Sequence, residues 1–146
     1  MQPKISLRIA AFFVLFVAVG HTLGNCTRKI TTDPAQLEVI KKMEDVKFNF
    51  GGSLRSWDIF YDGMSIDVSI TLVVFTVLLW KISTAANQYP EFCIKLLWAV
   101  LVFMILFTIT GFIYFFWVPA VSTLLAGVFI AIAMFQLKKS FNTIQQ

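Results

Sequence analysis

Hydrophobic residues are gathered into four long runs, and polar residues are confined mainly to the segments between them. The runs cover residues 5–24, 64–82, 92–113 and 118–137. Because an α-helix rises 1.5 Å per residue, about 20 apolar residues are enough to cross the hydrocarbon core of a bilayer. The pattern therefore predicts an all-α protein with a single integral membrane domain, built as a four-helix transmembrane bundle.

The longest connection, residues 25–63, contains a further predicted helix. Asp33 has the position of an N-cap, Pro34 suits the first helical position, and Gln36 completes a capping-box pattern. Up to about Lys47, apolar residues recur at three-residue spacing, which predicts a short amphipathic helix. This helix either lies on the outer membrane surface or caps the bundle, and capping is the simpler interpretation.

The second membrane helix is predicted to begin shortly after a turn at Gly51-Gly52, where the missing side chains let the chain reverse. Ser53 or Ser56 offers its N-cap. A helix that starts near Ser56 would include Gly63, a candidate point of interruption.

Composition and charge support a membrane location. The chain has 146 residues, 58% of them hydrophobic, and a formal net charge of +4, with a mean hydropathy of +0.80. The basic residues that bear on orientation lie at the ends of the apolar runs (Lys4, Arg8, Lys81, Lys95, Lys138 and Lys139). By the positive-inside rule they predict a multi-pass protein of the cell membrane with both termini in the cytoplasm. No basic face with interleaved aromatic residues lies outside the bilayer, so nucleic acid is not an expected partner.

The two cysteines are predicted to lie at opposite ends of membrane helices. A helix of this length separates Cys26 from Cys93 by about 30 Å, whereas the α-carbons of a disulfide are about 6 Å apart. Leu23-Gly24-Asn25-Cys26 resembles a lipoprotein cleavage box. Because Asn25 stands where that box has a small residue, we expect the first helix to be retained.

A polar stripe follows the second membrane helix. Its members recur at steps of four, three, four and seven residues (Asp58, Asp62, Ser65, Ser69 and Thr76). At 100° per residue they stay within about 40° of one another. Charged groups at bilayer depth cost about 2.5–3.5 kcal/mol, so we expect this stripe to face the bundle interior. Asp67, the deepest acid, falls on the opposite side of the helix.

The best candidate site is a polar and aromatic cluster at the outer side of the predicted bundle. His21, the only histidine, lies near the outer end of the first helix. The other residues predicted at this level are Arg55, Trp57, Asp58, Tyr61, Asp62, Tyr114 and Trp117. Such a cluster favours ligand binding. Aromatic residues also populate membrane interfaces generally, which is an alternative explanation for the two tryptophans.

His21 has three interpretations, each together with Asp58, Asp62 or Asp67. It pairs with an acid to make burial tolerable, it donates or accepts a proton toward a bound lipid-like molecule, or it ligates a metal. No His-x-x-x-His or Glu-x-x-His pattern supports a metal. A Gly-rich phosphate loop, a nucleophile elbow and a Cys-x-x-Cys pair are absent from the sequence, and no cofactor is expected.

Small residues recur every four positions in the fourth helix, at Thr123, Gly127 and Ala131. This spacing lets membrane helices approach closely, either within the bundle or in contact with a second copy or another membrane protein. Intramolecular packing is the simpler interpretation.

Three functional hypotheses follow. The first is binding of a small lipophilic molecule or a lipid headgroup, with His21 and Asp62 as polar anchors and Trp57 and Tyr61 shaping the site. The second is a lipid or isoprenoid isomerase or hydrolase that uses His21 with Asp58 or Asp62 as acid and base. The third is an accessory subunit of a membrane complex.

Two motifs also carry a resemblance. Gly20-His21-Thr22-Leu23-Gly24 and Phe60-Tyr61-Asp62-Gly63, in a four-span chain of this length, resemble a group of uncharacterised small bacterial membrane proteins. The resemblance covers most of the chain and implies a bacterial inner-membrane protein, with no established activity. In that group an acid and a tryptophan commonly precede the Phe-Tyr pair directly. Here Ile59 separates them from it, so the resemblance assigns no role to Asp58.

Overall fold

The computed structural model describes the backbone of residues 2–144 and the side chains of residues 2–139. It contains α1 (Pro3–Thr27), α2 (Pro34–Asp45), β1 (Lys47–Phe50), β2 (Ser53–Ser56), α3 (Trp57–Ala85), α4 (Pro90–Tyr114) and α5 (Trp117–Ile144). Four of these helices, α1, α3, α4 and α5, are long and apolar enough to cross a membrane. The prediction of an all-α, multi-pass membrane protein is confirmed.

The second membrane helix begins where the sequence places its cap. The Ser56 hydroxyl oxygen accepts a hydrogen bond from the backbone N–H of Ile59 at 3.3 Å, which satisfies one of the free N–H groups of the first turn. The helix then continues without a break through Gly63 to Ala85. The candidate interruption at Gly63 is therefore absent.

Among the residues that the structure describes, 2–17 and 72–144 form one compact unit, and 18–71 form the other. The first unit, called the bundle unit here, takes residues from all four membrane helices. Its core consists of fully buried aliphatic and thioether side chains (Leu7, Val14, Leu72, Leu79, Leu97, Met104, Ile130 and Leu137). Stacked rings add to it, with 4.3 Å between the ring centres of Phe75 and Phe103.

In the bundle unit, α4 and α5 form a close antiparallel hairpin. A Cβ atom added to Gly111 would lie 3.1 Å from the Cβ of Ala120 and 3.3 Å from its Cα. No larger residue fits at position 111 without moving α5. The two small residues therefore determine how closely the helices approach.

The small-residue row of α5 takes part in the same packing. Thr123 is fully buried, and its hydroxyl lies 2.9 Å from that of Thr108. A Cβ atom added to Gly127 would lie 3.7 Å from Leu101 on α4. Thr123 and Gly127 therefore pack within the chain, while Ala131 is exposed. This observation favours intramolecular packing over a contact with a second copy.

Polar residues of the bundle unit also find partners. The Ser6 hydroxyl donates a hydrogen bond to the side-chain oxygen of Gln136 at 3.1 Å. The Arg8 guanidinium lies 4.6 Å from the ring centre of Trp80, a cation–π contact that makes a charge within an apolar helix less costly.

The second unit, called the loop unit here, contains the end of α1, α2, the β-hairpin and the beginning of α3. The cap of α2 is as predicted, because the Asp33 carboxylate accepts a hydrogen bond from the backbone N–H of Ala35 at 2.9 Å. The helix ends at Asp45, short of the predicted end near Lys47. Its end is earlier because Lys47 already belongs to β1.

The β-hairpin is the element that the sequence analysis missed. Gly51 and Gly52 have φ angles of +58° and +82°, as a two-residue hairpin turn requires. Around them β1 and β2 pair in antiparallel register, from Phe50 opposite Ser53 to Lys47 opposite Ser56. The turn was predicted, but the paired strands were not. A Gly-Gly pair beside the alternating Phe-Asn-Phe segment was the available signal.

The apolar side of α2 is open. No residue of this helix is fully buried, and Leu37 and Val39 are about half exposed. Ile40 and Met43 are partly buried. An open apolar side is typical of helices that lie at a membrane surface.

Candidate functional site

The polar stripe of α3 contacts the end of α1 in the loop unit. Pairs of polar groups follow one another along α3, from charged to neutral (Arg28 and Lys29, in the turn after α1, with Asp58; Arg28 with Asp62; His21 with Ser65; and Thr22 with Ser69). The stripe is predicted to face the bundle interior; at these positions it faces the end of α1 and the turn after it, within the loop unit. Thr76 instead hydrogen-bonds to the Leu72 carbonyl of its own helix.

Charged side chains from the turn after α1, from α2 and from α3 form what we call the ionic cluster: Arg28, Lys29, Glu44, Asp58 and Asp62. Nη2 of Arg28 lies 2.6 Å from Oδ1 of Asp58 and 2.8 Å from Oδ1 of Asp62. The Nζ of Lys29 lies 2.7 Å from Oδ2 of Asp58 and 2.8 Å from Glu44. Asp58 thus has a cation on each carboxylate oxygen, and its side chain is only 7% exposed.

The cluster keeps its two bases charged. Burial lowers the pKa of Arg28, but hydrogen bonds to Asp58 and Asp62 outweigh that effect and leave the pKa above its ordinary value. Hydrogen bonds to Asp58 and then Glu44 raise the pKa of Lys29. The two cations and three carboxylates of the cluster carry a formal net charge of −1.

Aromatic rings lie beside the cluster at the beginning of α3. The Arg28 guanidinium lies 5.0 Å from the ring centre of Tyr61, within the range of a cation–π contact. The Trp57 ring lies 4.6 Å from that of Phe48 on β1. Trp57 and Tyr61 are each 48% exposed, so both have a free side.

Two polar atoms of the cluster have no hydrogen-bond partner among the residues that the structure describes. Nη1 of Arg28 has no hydrogen-bond partner, because the contacts of this side chain use Nε and Nη2. Oδ2 of Asp62 likewise has none, and the Asp62 side chain is 39% exposed. A cationic donor, an anionic acceptor and the Tyr61 ring are thus available close together.

His21 has a different partner from the expected aspartates. Its Nε2 lies 3.1 Å from the hydroxyl of Ser65 and 3.2 Å from the Ser65 backbone oxygen. Ser65 is 6% exposed. A serine and a histidine at this distance also occur in nucleophilic sites, but here the hydroxyl is shielded and Asp58 and Asp62 are bound to Arg28 and Lys29. The pair satisfies two partly buried polar groups of α1 and α3.

The other predicted site residues lie elsewhere. Arg55 is exposed on β2 and donates a hydrogen bond to the Leu54 carbonyl at 3.1 Å. Tyr114 ends α4 and Trp117 begins α5, both in the bundle unit and both more than two-thirds exposed. Asp67 is exposed on α3. Of the predicted set, Trp57, Asp58, Tyr61 and Asp62 come together in the loop unit.

Arg28 and Lys29 are the functional candidates that sequence reasoning missed. The available signal was their position directly after the first apolar run, at the same predicted level as Asp58 and Asp62. Two bases and two acids at one membrane level favour pairing, since each would otherwise be costly there. Within the described part of the chain, no three His, Cys, Asp or Glu side chains form a group that could hold a metal ion.

Comparison of the chain with protein-family models, curated proteins and solved structures finds no match. The resemblance to small four-span bacterial membrane proteins stays a prediction. The class that the fold defines is a multi-pass integral membrane protein with a polar cluster between two of its helices.

Proposed function

We propose that this protein binds the headgroup of a lipid, or the polar end of a small lipophilic molecule, at Arg28, Tyr61 and Asp62. The observation that carries the proposal is that Nη1 of Arg28 and Oδ2 of Asp62 have no hydrogen-bond partner among the described residues and lie close to the exposed ring of Tyr61. Nη1 of Arg28 can donate to a phosphate oxygen, and Oδ2 of Asp62 can accept from an ammonium group. This charge arrangement favours a zwitterionic headgroup, such as that of phosphatidylethanolamine.

The position of the site along α3 supports this ligand class. Trp57 and Tyr61 belong to the first turns of a membrane-spanning helix, and both are half exposed. Trp and Tyr residues at such positions lie at the level of lipid headgroups. Exposed apolar residues on the same turns, Ile59, Phe60 and Met64, offer contact to the acyl chains.

Catalysis by His21 with Asp58 or Asp62 remains the competing hypothesis, and the contacts favour it less. General acid–base catalysis needs its groups within reach of one substrate atom. Both oxygens of Asp58 are bound to cations, and His21 is hydrogen-bonded to a buried serine. Headgroup binding uses atoms that have no partner in the described part of the chain, whereas acid–base catalysis would first require the ion pairs of Asp58 and the hydrogen bond of His21 to break.

We expect Asp62→Asn to weaken retention of phosphatidylethanolamine about tenfold, which corresponds to the loss of one charge-assisted contact of about 1.4 kcal/mol. Native mass spectrometry of the purified protein, titrated with this lipid, measures the bound fraction. Glu44→Gln is the matched control, because Glu44 belongs to the ionic cluster but not to the proposed site.

Two results would count against the proposal. One is equal retention by the wild type and Asp62→Asn. The other is equal retention of diacylglycerol, which has the acyl chains without the charged headgroup. The enzyme hypothesis would replace it if His21→Ala kept the bound lipid while a lipid product formed by the wild type disappeared.

A further inference from the structure

Asp67 is a charged residue on the outward side of a membrane-spanning helix. It is exposed, although it lies within the α3 span. No side chain among the described residues pairs with its carboxylate, and the Thr71 hydroxyl donates a hydrogen bond to its backbone oxygen at 2.8 Å. The acid thus stands in contrast to Asp58 and Asp62, which are both paired on the opposite side of the helix.

The depth of Asp67 makes this exposure costly. Asp67 follows Asp58 by nine residues and precedes Lys81 by fourteen, so it lies about 14 Å along α3 from one charged level and about 21 Å from the other. These two levels are about 35 Å apart, and the hydrocarbon core is about 30 Å thick. Asp67 therefore lies inside the core, where acids pair with a partner or line a path for a substrate or ion.

The helix surface around Asp67 has room for a close neighbour. Gly63 and Thr71 lie one turn away on either side, at i−4 and i+4. A Cβ atom added to Gly63 would find nothing within 4 Å. Met64 and Ile70, which are 57% and 56% exposed, border the same surface. Small residues next to a polar one are typical of contacts between membrane helices.

We infer that Asp67 is the docking point for a transmembrane helix of another protein that presents a lysine or arginine at the same depth. Charge complementarity selects this partner. A second copy related by an axis along the membrane normal would place its own Asp67 at the same depth and bring two carboxylates together. A second copy also offers no basic partner inside the core, since residues 9–24, 64–80, 96–113 and 118–137 contain no lysine or arginine. This inference is independent of the proposed headgroup site.

The test uses the full-length protein, labelled with a fluorescence donor, in phosphatidylcholine vesicles. The probe is an acceptor-labelled synthetic Leu-Ala transmembrane helix with a single lysine about 14 Å below its outer charged end. We expect this helix to associate about tenfold more strongly than the same helix with leucine in place of lysine. Asp67→Asn removes the difference, and Asp67→Glu preserves it. Because the Asp67 carboxylate contacts no described side chain, these variants are expected to fold.

Two controls examine whether the association depends on the α3 surface around Asp67 or would occur at any exposed acid. The double variant Asp67→Leu, Ile109→Asp moves the acid to an exposed position of α4 and should not restore the association. Gly63→Ile should weaken it by filling the open space beside Asp67. Equal association of the lysine and leucine helices would overturn the inference, as would full recovery in the double variant. Energy transfer between donor-labelled and acceptor-labelled copies of the protein that depends on Asp67 would also overturn it.

Discussion

Asp58→Asn is expected to lower the free energy of unfolding by about 3 kcal/mol, the low end of the range for breaking a buried ion pair. The asparagine keeps the shape of the side chain but removes the charge that neutralises Arg28, whose side chain is only 15% exposed, and Lys29. We use the low end because Lys29 is 41% exposed and is therefore partly screened by solvent. Unfolding in mixed micelles with increasing denaturing detergent measures the difference.

Glu44→Gln provides the matched control for Asp58→Asn. Glu44 pairs with the same Lys29 at 2.8 Å, but its side chain is 48% exposed. Exposed ion pairs contribute about 0–1 kcal/mol, so this variant should remain close to the wild type. If both variants lost the same stability, the burial of Asp58 would have no energetic importance and the ionic cluster would be a surface feature.

Gly111→Leu is the second variant with a large expected effect. A Cβ atom at position 111 would already lie 3.3 Å from the Cα of Ala120, and the rest of a leucine has no space between α4 and α5. We expect a loss of about 3 kcal/mol, the upper part of the usual range for overpacking. Thermal unfolding of the purified protein, followed by circular dichroism, measures it.

Gly20→Leu tests whether the effect comes from packing or from replacing a helical glycine. Gly20 also lies inside a membrane helix, but nothing is within 4 Å of an added Cβ atom there. Leucine has a higher helix propensity than glycine. The variant should therefore be as stable as the wild type or slightly more stable. A large loss in Gly20→Leu, or none in Gly111→Leu, would contradict the role given to the contact of Gly111 with Ala120.

The membrane helices could be predicted because each depends on a local property of the chain. Apolar length is enough to identify a span, and the caps at Asp33 and Ser56 involve residues two or three positions apart. The hairpin was harder to predict, since strand pairing depends on a partner segment as well as on local preference. Only the Gly51-Gly52 turn gave a local indication.

The site could be predicted only in part, for a related reason. The spacing on α3 showed that Asp58 and Asp62 share a face, because both lie on one helix. Which cations meet them depends on how the chain leaves α1, where the backbone turns after Thr27 and its carbonyl accepts a hydrogen bond from the Ile30 N–H at 2.8 Å. That turn lies outside any periodic pattern. The sequence therefore favours His21, about two helical turns earlier, over Arg28 as the partner of these acids.

The charges at the two ends of α1 have a consequence for how the protein enters the membrane. Lys4 and Arg8 lie at its beginning, and Arg28 and Lys29 follow its end. The orientation of a span depends on a difference in basic residues between its two flanks, and α1 alone has two on each side. Acidic residues contribute little to this rule, so the pairing of Arg28 and Lys29 with Asp58 does not change the balance. The basic residues next to α1 therefore favour neither direction of insertion by themselves.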